Sequence, residues 1–196
     1  MLIRIMGKLS DEFERPLFGL RVKKVIEKIP LTLDRPSVAI FKDKLVITST
    51  FDEIPDISQL IGVEVLGKRV INVKGLIVEP DEVDSLPSSG CAHIRLVTPY
   101  PFEGNGIPAI RDLVRSSLKH WKEMTGRAVK VGRLTPLQMN LKVIRGRWGR
   151  GIVGKILLKG EGAPAFGYIS SIVGVGDRRE LGYGYVEQVP LDEQTC

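Results

Sequence analysis

Apolar and polar residues alternate in short runs along most of this chain, and the repeat lengthens to helical spacing at only a few places. The second half shows this most clearly. Over 91–98, Ala92, Ile94 and Leu96 fall on one side and His93, Arg95 and Val97 on the other, which predicts a strand. A loop is expected over 99–106. Pro108 then opens a helix in which Ile110, Leu113, Val114, Leu118 and Trp121 recur at helical spacing, and Gly126 ends it. Strands are predicted over 137–144 and 152–158, joined by the turn Arg145-Gly146-Arg147-Trp148-Gly149-Arg150-Gly151. Pro164 opens a second, short helix with Phe166, Ile169, Ile172 and Val173 facing inward. A glycine-rich loop and a strand over 183–189 follow.

The order is βαββαβ, the ferredoxin-like arrangement. The first half fits it less closely. It predicts a strand over 2–6 and a helix over 16–29 with Phe18, Val22, Val25, Ile26 and Ile29 inward. A hairpin follows, 38–41 with 45–51, about Lys42-Asp43-Lys44; then come a short helix over 55–61 and one or two strands within 63–78. The turn cluster Leu86-Pro87-Ser88-Ser89-Gly90 separates the halves. The expected fold is therefore α+β, with two ferredoxin-like domains in tandem: a diverged one over 1–86, a linker at 87–90, and a second over 91–196.

Composition changes this picture little. Of 196 residues, 43% are hydrophobic and 27% charged, an ordinary globular balance. No apolar run approaches the ~20 residues of a membrane span. The apolar start is interrupted by Arg4 and lacks a small-residue cleavage site, so it reads as a strand and not as a signal peptide. Two cysteines, Cys91 and Cys196, exclude a disulfide framework or a cysteine zinc cluster and suit a reducing cytoplasm. Neither a metal nor a cofactor is expected.

Charge changes it more. Residues 1–90 carry 13 Lys+Arg against 14 Asp+Glu, whereas 91–196 carry 16 against 9. Between Glu123 and Glu161 there is no acid, but there are nine cations: Arg127, Lys130, Arg133, Lys142, Arg145, Arg147, Arg150, Lys155 and Lys159. Charge of that density repels itself, and a polyanion relieves it. The alternative is a solvated strand face in a basic protein, where acids would ordinarily be scattered among the bases.

The segment Gly174-Val175-Gly176-Asp177-Arg178-Arg179-Glu180-Leu181-Gly182-Tyr183-Gly184 adds a backbone free to take positive φ, with two arginines suited to bidentate phosphate contact. A dinucleotide fingerprint would need glycine at Arg179 and a helix afterwards, and an NTPase phosphate loop would need Gly-Lys-Ser/Thr; both fail here. A purely structural hairpin remains the alternative.

Placed between the last helix and last strand of a ferredoxin-like domain, this segment resembles the glycine-rich loop of the RAMP superfamily of CRISPR proteins. Ile94-Arg95-Leu96-Val97-Thr98-Pro99 resembles the strand that opens the C-terminal domain of that group's repeat-RNA-processing endoribonucleases. The helix at 108–124 resembles the one that follows it. Trp148-Gly149-Arg150-Gly151-Ile152-Val153-Gly154-Lys155 resembles their glycine-rich basic strand. The match covers about half the chain.

The resemblance implies binding of CRISPR repeat RNA, with other CRISPR effector subunits as further partners, and no membrane. It also implies cleavage without metal: the ribose 2′-hydroxyl attacks the scissile phosphate and displaces the 5′-oxygen, leaving a 2′,3′-cyclic phosphate and a 5′-hydroxyl. Such chemistry needs a base, an acid and cations for the charge on phosphorus. Candidates for holding RNA are Arg145, Arg147, Trp148, Arg150, Lys155, Gly174, Gly176, Arg178, Arg179, Gly182 and Gly184; Trp148 either stacks a base or caps a core edge. The family's usual catalytic histidine lies in the first domain, and this sequence has no histidine before His93. Lys23, Lys24 and Lys28 on the first helix, and His93 beside Arg95, are the substitutes, each with a plain structural reading as alternative. His120, at the edge of its helix's apolar stripe, suits a surface or packing role. A catalytically silent RNA-binding relative, an unrelated RNA-binding module and a small-molecule enzyme are the competing functions.

Overall fold

The computed structural model describes residues 1–103, 106–146, 148–191 and 196. The chain divides into two compact units, Met1–Glu79 with Arg178–Tyr183, and Pro80–Asp177 with Gly184–Cys196. Each holds a four-stranded antiparallel sheet, and the fold is α+β with tandem ferredoxin-like domains.

In the first unit the elements are β1 (Leu2–Leu17), α1 (Leu20–Ile26), β2 (Asp34–Thr50), β3 (Glu64–Val65) and β4 (Lys68–Ile77), in sheet order β2-β1-β4-β3. Ile3, Ile5 and Leu9 of β1 are buried while Met6 and Lys8 are exposed, as alternation across a half-buried sheet requires. A straight 17-residue strand would separate its ends by ~50 Å. Yet the Asp34 N–H donates to Ser49 Oγ at 2.9 Å, and Ser49 Oγ donates to the Asp34 carbonyl at 2.8 Å. β2 therefore doubles back on itself, and Lys42 takes φ 49° within the expected Lys42-Asp43-Lys44 turn.

Two expectations for this unit are corrected. The helix over 16–29 is only α1, because β1 continues past a bulge to pair Leu17 with Ile40, and Gly19 turns the chain at φ 68°. The helix over 55–61 is a single 3₁₀ turn, Ile57–Leu60, capped by the Asp56 carboxylate, which accepts from the Ser58 N–H at 3.1 Å. The Ser58 hydroxyl and N–H, with the Gln59 side chain, hold the Asp56 carboxyl below the usual carboxylate range.

The second unit runs β5 (Ser89–Phe102), α2 (Ile110–Thr125), β6 (Thr135–Gly146), β7 (Gly149–Glu161), α3 (Ala163–Val173) and β8 (Val186–Gln188), in sheet order β6-β7-β5-β8. Gly126 closes α2 in the left-handed conformation. The core joins Ile94, Leu96, Leu113, Ile152, Ile156, Leu158 and Phe166. β6 is an edge strand, and Pro136 sits where the register slips, a position that tolerates its missing N–H. β8 is shorter than the expected 183–189, since Gly184 at φ 66° keeps the preceding residues in the loop.

One further expectation is corrected. Cys91 and Cys196 form a disulfide, so neither is a free thiol, and the two cysteines carry no support for a reducing compartment. No helix among the described residues is long and apolar enough to cross a membrane.

Candidate nucleic-acid interface

In the second unit, strand register decides which cations share a face, because residues directly opposite on neighbouring strands point the same way. Lys155 of β7 lies opposite Arg95 of β5 and Asn140 of β6. Lys142 opposes Val153, and Lys159 opposes Thr135. Arg95, Lys142, Lys155 and Lys159 therefore share the sheet face turned away from the Ile94–Ile152–Ile156 core. Arg95, Lys142, Lys155 and Lys159 are all exposed. His93 lies opposite Leu157 on this same face and is half-buried.

Beyond the core, the β6–β7 hairpin places Arg145 directly opposite Arg150. Arg145 is exposed, whereas the Arg150 guanidinium rests over the Phe102 ring, 5.5 Å from its centroid. Arg147 lies outside the described residues. Trp148 is half-buried, and its indole crosses the hairpin's own backbone. A Cβ on Gly146 would meet the Trp148 ring, and one on Gly151 would come within 2.8 Å of it. This packing accounts for the buried part of the ring, and both expected roles for Trp148 stay open.

Long-range ion pairing removes one cation from the strip. The Arg127 guanidinium is held by Asp81 and by Asp84, the latter at 2.5 Å, both on the 3₁₀ turn Pro80–Ser85. Its charge is already answered. Arg127→Ala is therefore expected to leave affinity for RNA within about twofold, whereas Lys155→Ala, which removes an exposed cation, is expected to lower it by about fivefold. Filter binding of both variants at matched salt checks this.

The three segments that sequence treats separately meet around Thr98-Pro99. Thr98 Oγ1 accepts from the Tyr185 N–H at 2.8 Å, and the Pro99 carbonyl accepts from the Gly184 N–H at 2.8 Å. A Cβ on Gly151 would lie 3.0 Å from Pro99 Cβ. The entry to the glycine-rich segment is held just as closely. Gly176 donates its N–H to Ser116 Oγ at 2.8 Å, and its carbonyl lies 2.8 Å from His120 Nε2. His120, 7% exposed, is thus a buried clamp from α2 onto this segment and not a surface residue. Ser116 and His120 were not legible as its holders, because their partner lies 56 to 60 residues downstream.

Gly174, Gly176, Gly182 and Gly184 all take positive φ, as does Arg178 at 62°. The tip of the segment belongs to the first unit. There the Gly19 N–H donates to the Leu181 carbonyl at 2.7 Å, and the Tyr183 ring packs 5.3 Å from Phe18. Arg178 is exposed, but Arg179 is only 7% exposed, so Arg178 alone of the pair is presented to solvent.

Candidates for the proton-transfer role divide as follows. Lys23 and Lys24 are exposed on α1. Lys28 lies beyond its end and pairs with Glu64 at 3.4 Å. Burial pushes the Tyr100 and Tyr183 phenols above the ordinary tyrosine range; the Asp112 and Asp177 carboxylates add to this for Tyr100, and Arg178 opposes it for Tyr183. Among the described residues no group of three or more His, Cys, Asp or Glu is placed to hold a metal ion.

No protein-family model and no curated protein matches the sequence. Solved structures do match along the whole chain. A Cas6 product complex superposes with TM-score 0.73 at 16% identity, over 97% of this chain and 100% of its own. Thermus thermophilus Cas6 gives 0.64 at 17%, over 96% and 98%. A RAMP protein described as binding different RNA substrates gives 0.53 at 16%, over 96% and 100%. With the match running over nearly every residue, the chain has the fold of the Cas6 and RAMP proteins.

Proposed function

We propose that this protein binds CRISPR repeat RNA on the cationic face of its second unit and cuts the precursor by attack of a ribose 2′-hydroxyl, without metal. The observation that carries the reading is the row Arg95, Lys142, Lys155 and Lys159 on one sheet face, the last three within a stretch that holds no acid between Glu123 and Glu161, with Arg145 exposed at the hairpin end of the same sheet. Cations at this density suit phosphates spaced along a chain. Its structural neighbours include a Cas6 product complex and a RAMP protein described as binding RNA, which supports the same reading. Arg178 is a further phosphate ligand in this proposal. Gly174, Gly176, Gly182 and Gly184 shape the segment that carries it. The proton-transfer groups are drawn from Lys23, Lys24, Lys28 and His93.

A second reading, a silent RNA-binding relative or effector-complex subunit, is favoured by one observation. The only histidines are His93 and His120, and His120 is occupied with Gly176. Incubating end-labelled repeat RNA with the protein in EDTA separates the two. Cutting at one position with a 2′,3′-cyclic phosphate end is the expected result; stable binding with intact RNA leaves the silent reading.

A further inference from the structure

The helix side of the second unit carries a feature outside the row Arg95, Lys142, Lys155 and Lys159 on which the RNA proposal rests. An open groove of about 980 Å³ runs between α2 and the segment leading into β6. Ile110, Val114 and Leu118 form one wall; all three are half-buried and follow one another every fourth residue. Val129, Val131 and Leu134 form the other. Among the described residues, every polar side chain lining it is a cation: Arg111, Arg115, Lys119, Lys122 and Arg133. Arg111, Arg115, Lys122 and Arg133 are exposed, and Lys119 keeps most of its side chain in solvent. Arg111 and Lys119 lie 3.9 and 3.8 Å from Asp112 and Glu123, exposed pairs that do little to cancel them.

Two requirements are therefore placed on an occupant: aliphatic surface for the floor and negative charge for the rim. Nucleic acid meets only the second. Among the described residues the groove has no aromatic ring to stack a base and no hydroxyl or amide side chain to read one. An amphipathic helix with an apolar stripe flanked by Asp and Glu meets both. The apolar wall of α2, from Ile110 to Leu118, is about 12 Å long at ~1.5 Å per residue, which matches two to three turns of such a helix.

We infer that this groove docks an acidic amphipathic helix of a protein partner. The site stands apart from the cationic strands and does not depend on the RNA reading. Its cations set which helix is accepted, and its aliphatic walls take the apolar side chains.

The test uses the full chain and a fluorescein-labelled peptide with leucines at helical spacing and glutamates beside them; a second peptide carries lysines in place of the glutamates. The glutamate peptide is expected to bind and to shift the methyl resonances of Ile110, Val114, Leu118 and Val131, while the lysine peptide does not bind. The double variant Arg115→Glu/Lys119→Glu changes only solvent-facing positions. It is expected to lose about tenfold or more in affinity for the glutamate peptide, to gain affinity for the lysine peptide, and to bind RNA within about threefold of the parent. The inference is overturned if the glutamate peptide fails to bind, binds the variant equally, or shifts methyls elsewhere. It is likewise overturned if RNA displaces the peptide and the variant loses RNA to the same extent, which would give the groove to RNA.

Discussion

Replacing Lys142, Arg145 and Lys155 together with alanine is expected to weaken RNA binding by about a hundredfold near ~0.1 M salt, and to flatten its salt dependence by roughly two units. All three side chains point away from the Ile152–Ile156–Leu158 core or lie beyond it on the hairpin, so the change removes charge without disturbing that core. Each phosphate contact with single-stranded nucleic acid contributes about 0.7 to the slope of log affinity against log salt, and with duplex about 0.9. A fall near ~2 thus places three contacts on a single strand, and one nearer ~2.7 places them on a duplex stem. Affinities measured across a salt series read both quantities. An unchanged slope would move the RNA off this hairpin. Arg150 belongs to a separate variant, because its guanidinium also packs on Phe102 and its removal costs stability as well as charge.

The largest stability effect is expected at Gly184, where the conformation is left-handed and a Cβ would fall onto the Val175 carbonyl oxygen. Neither side can give way easily. The Val175 N–H already donates to the Gly184 carbonyl at 2.9 Å, and the Gly184 N–H is bound to the Pro99 carbonyl. Gly184→Ala should therefore cost about 3 kcal/mol or more, by combining backbone strain with a clash inside a hydrogen-bonded loop. For a chain of this length that is a fall in Tm of about 10 °C. Gly126→Ala is the control. It shares the left-handed conformation as the cap of α2, but none of the described residues comes within 4 Å of its Cβ position, so the expected cost is about 1 kcal/mol. Equal melting of the two variants would show that the loop tolerates a side chain.

The contrast between those two glycines has a parallel in how the elements and site residues could be read from sequence. Alternation predicted the second unit's strands because their buried positions repeat every second residue along a continuous core, as Ala92, Ile94 and Leu96 do. It also found the hairpin at Lys42-Asp43-Lys44, where charged residues interrupt two apolar runs. It failed where the deciding interaction is remote. Phe18 has helical spacing to Val22 and Val25, yet the chain there finishes β1 and turns at Gly19 before α1 begins. A linear count of charges places Arg127 in the cationic strip; its partners Asp81 and Asp84 lie more than forty residues away. Arg178 and Arg179 are equivalent as letters, but one faces solvent and the other is buried, a difference set by the turn on which they sit. The packing of Trp148 had a signal that could have been read. Gly146 and Gly151 flank it closely, and a large ring folding back over its own hairpin needs small residues beneath it.

Photocrosslinking of 4-thiouridine-substituted repeat RNA, with the attached peptides identified by mass spectrometry, tests the placement of the RNA most directly. Crosslinks are expected on peptides from β6 and β7, between Thr135 and Glu161, and on the β5 segment that carries Arg95. Crosslinks concentrated on α2 or on β2, with β6 and β7 unmarked, would contradict the assignment of this cationic face to RNA.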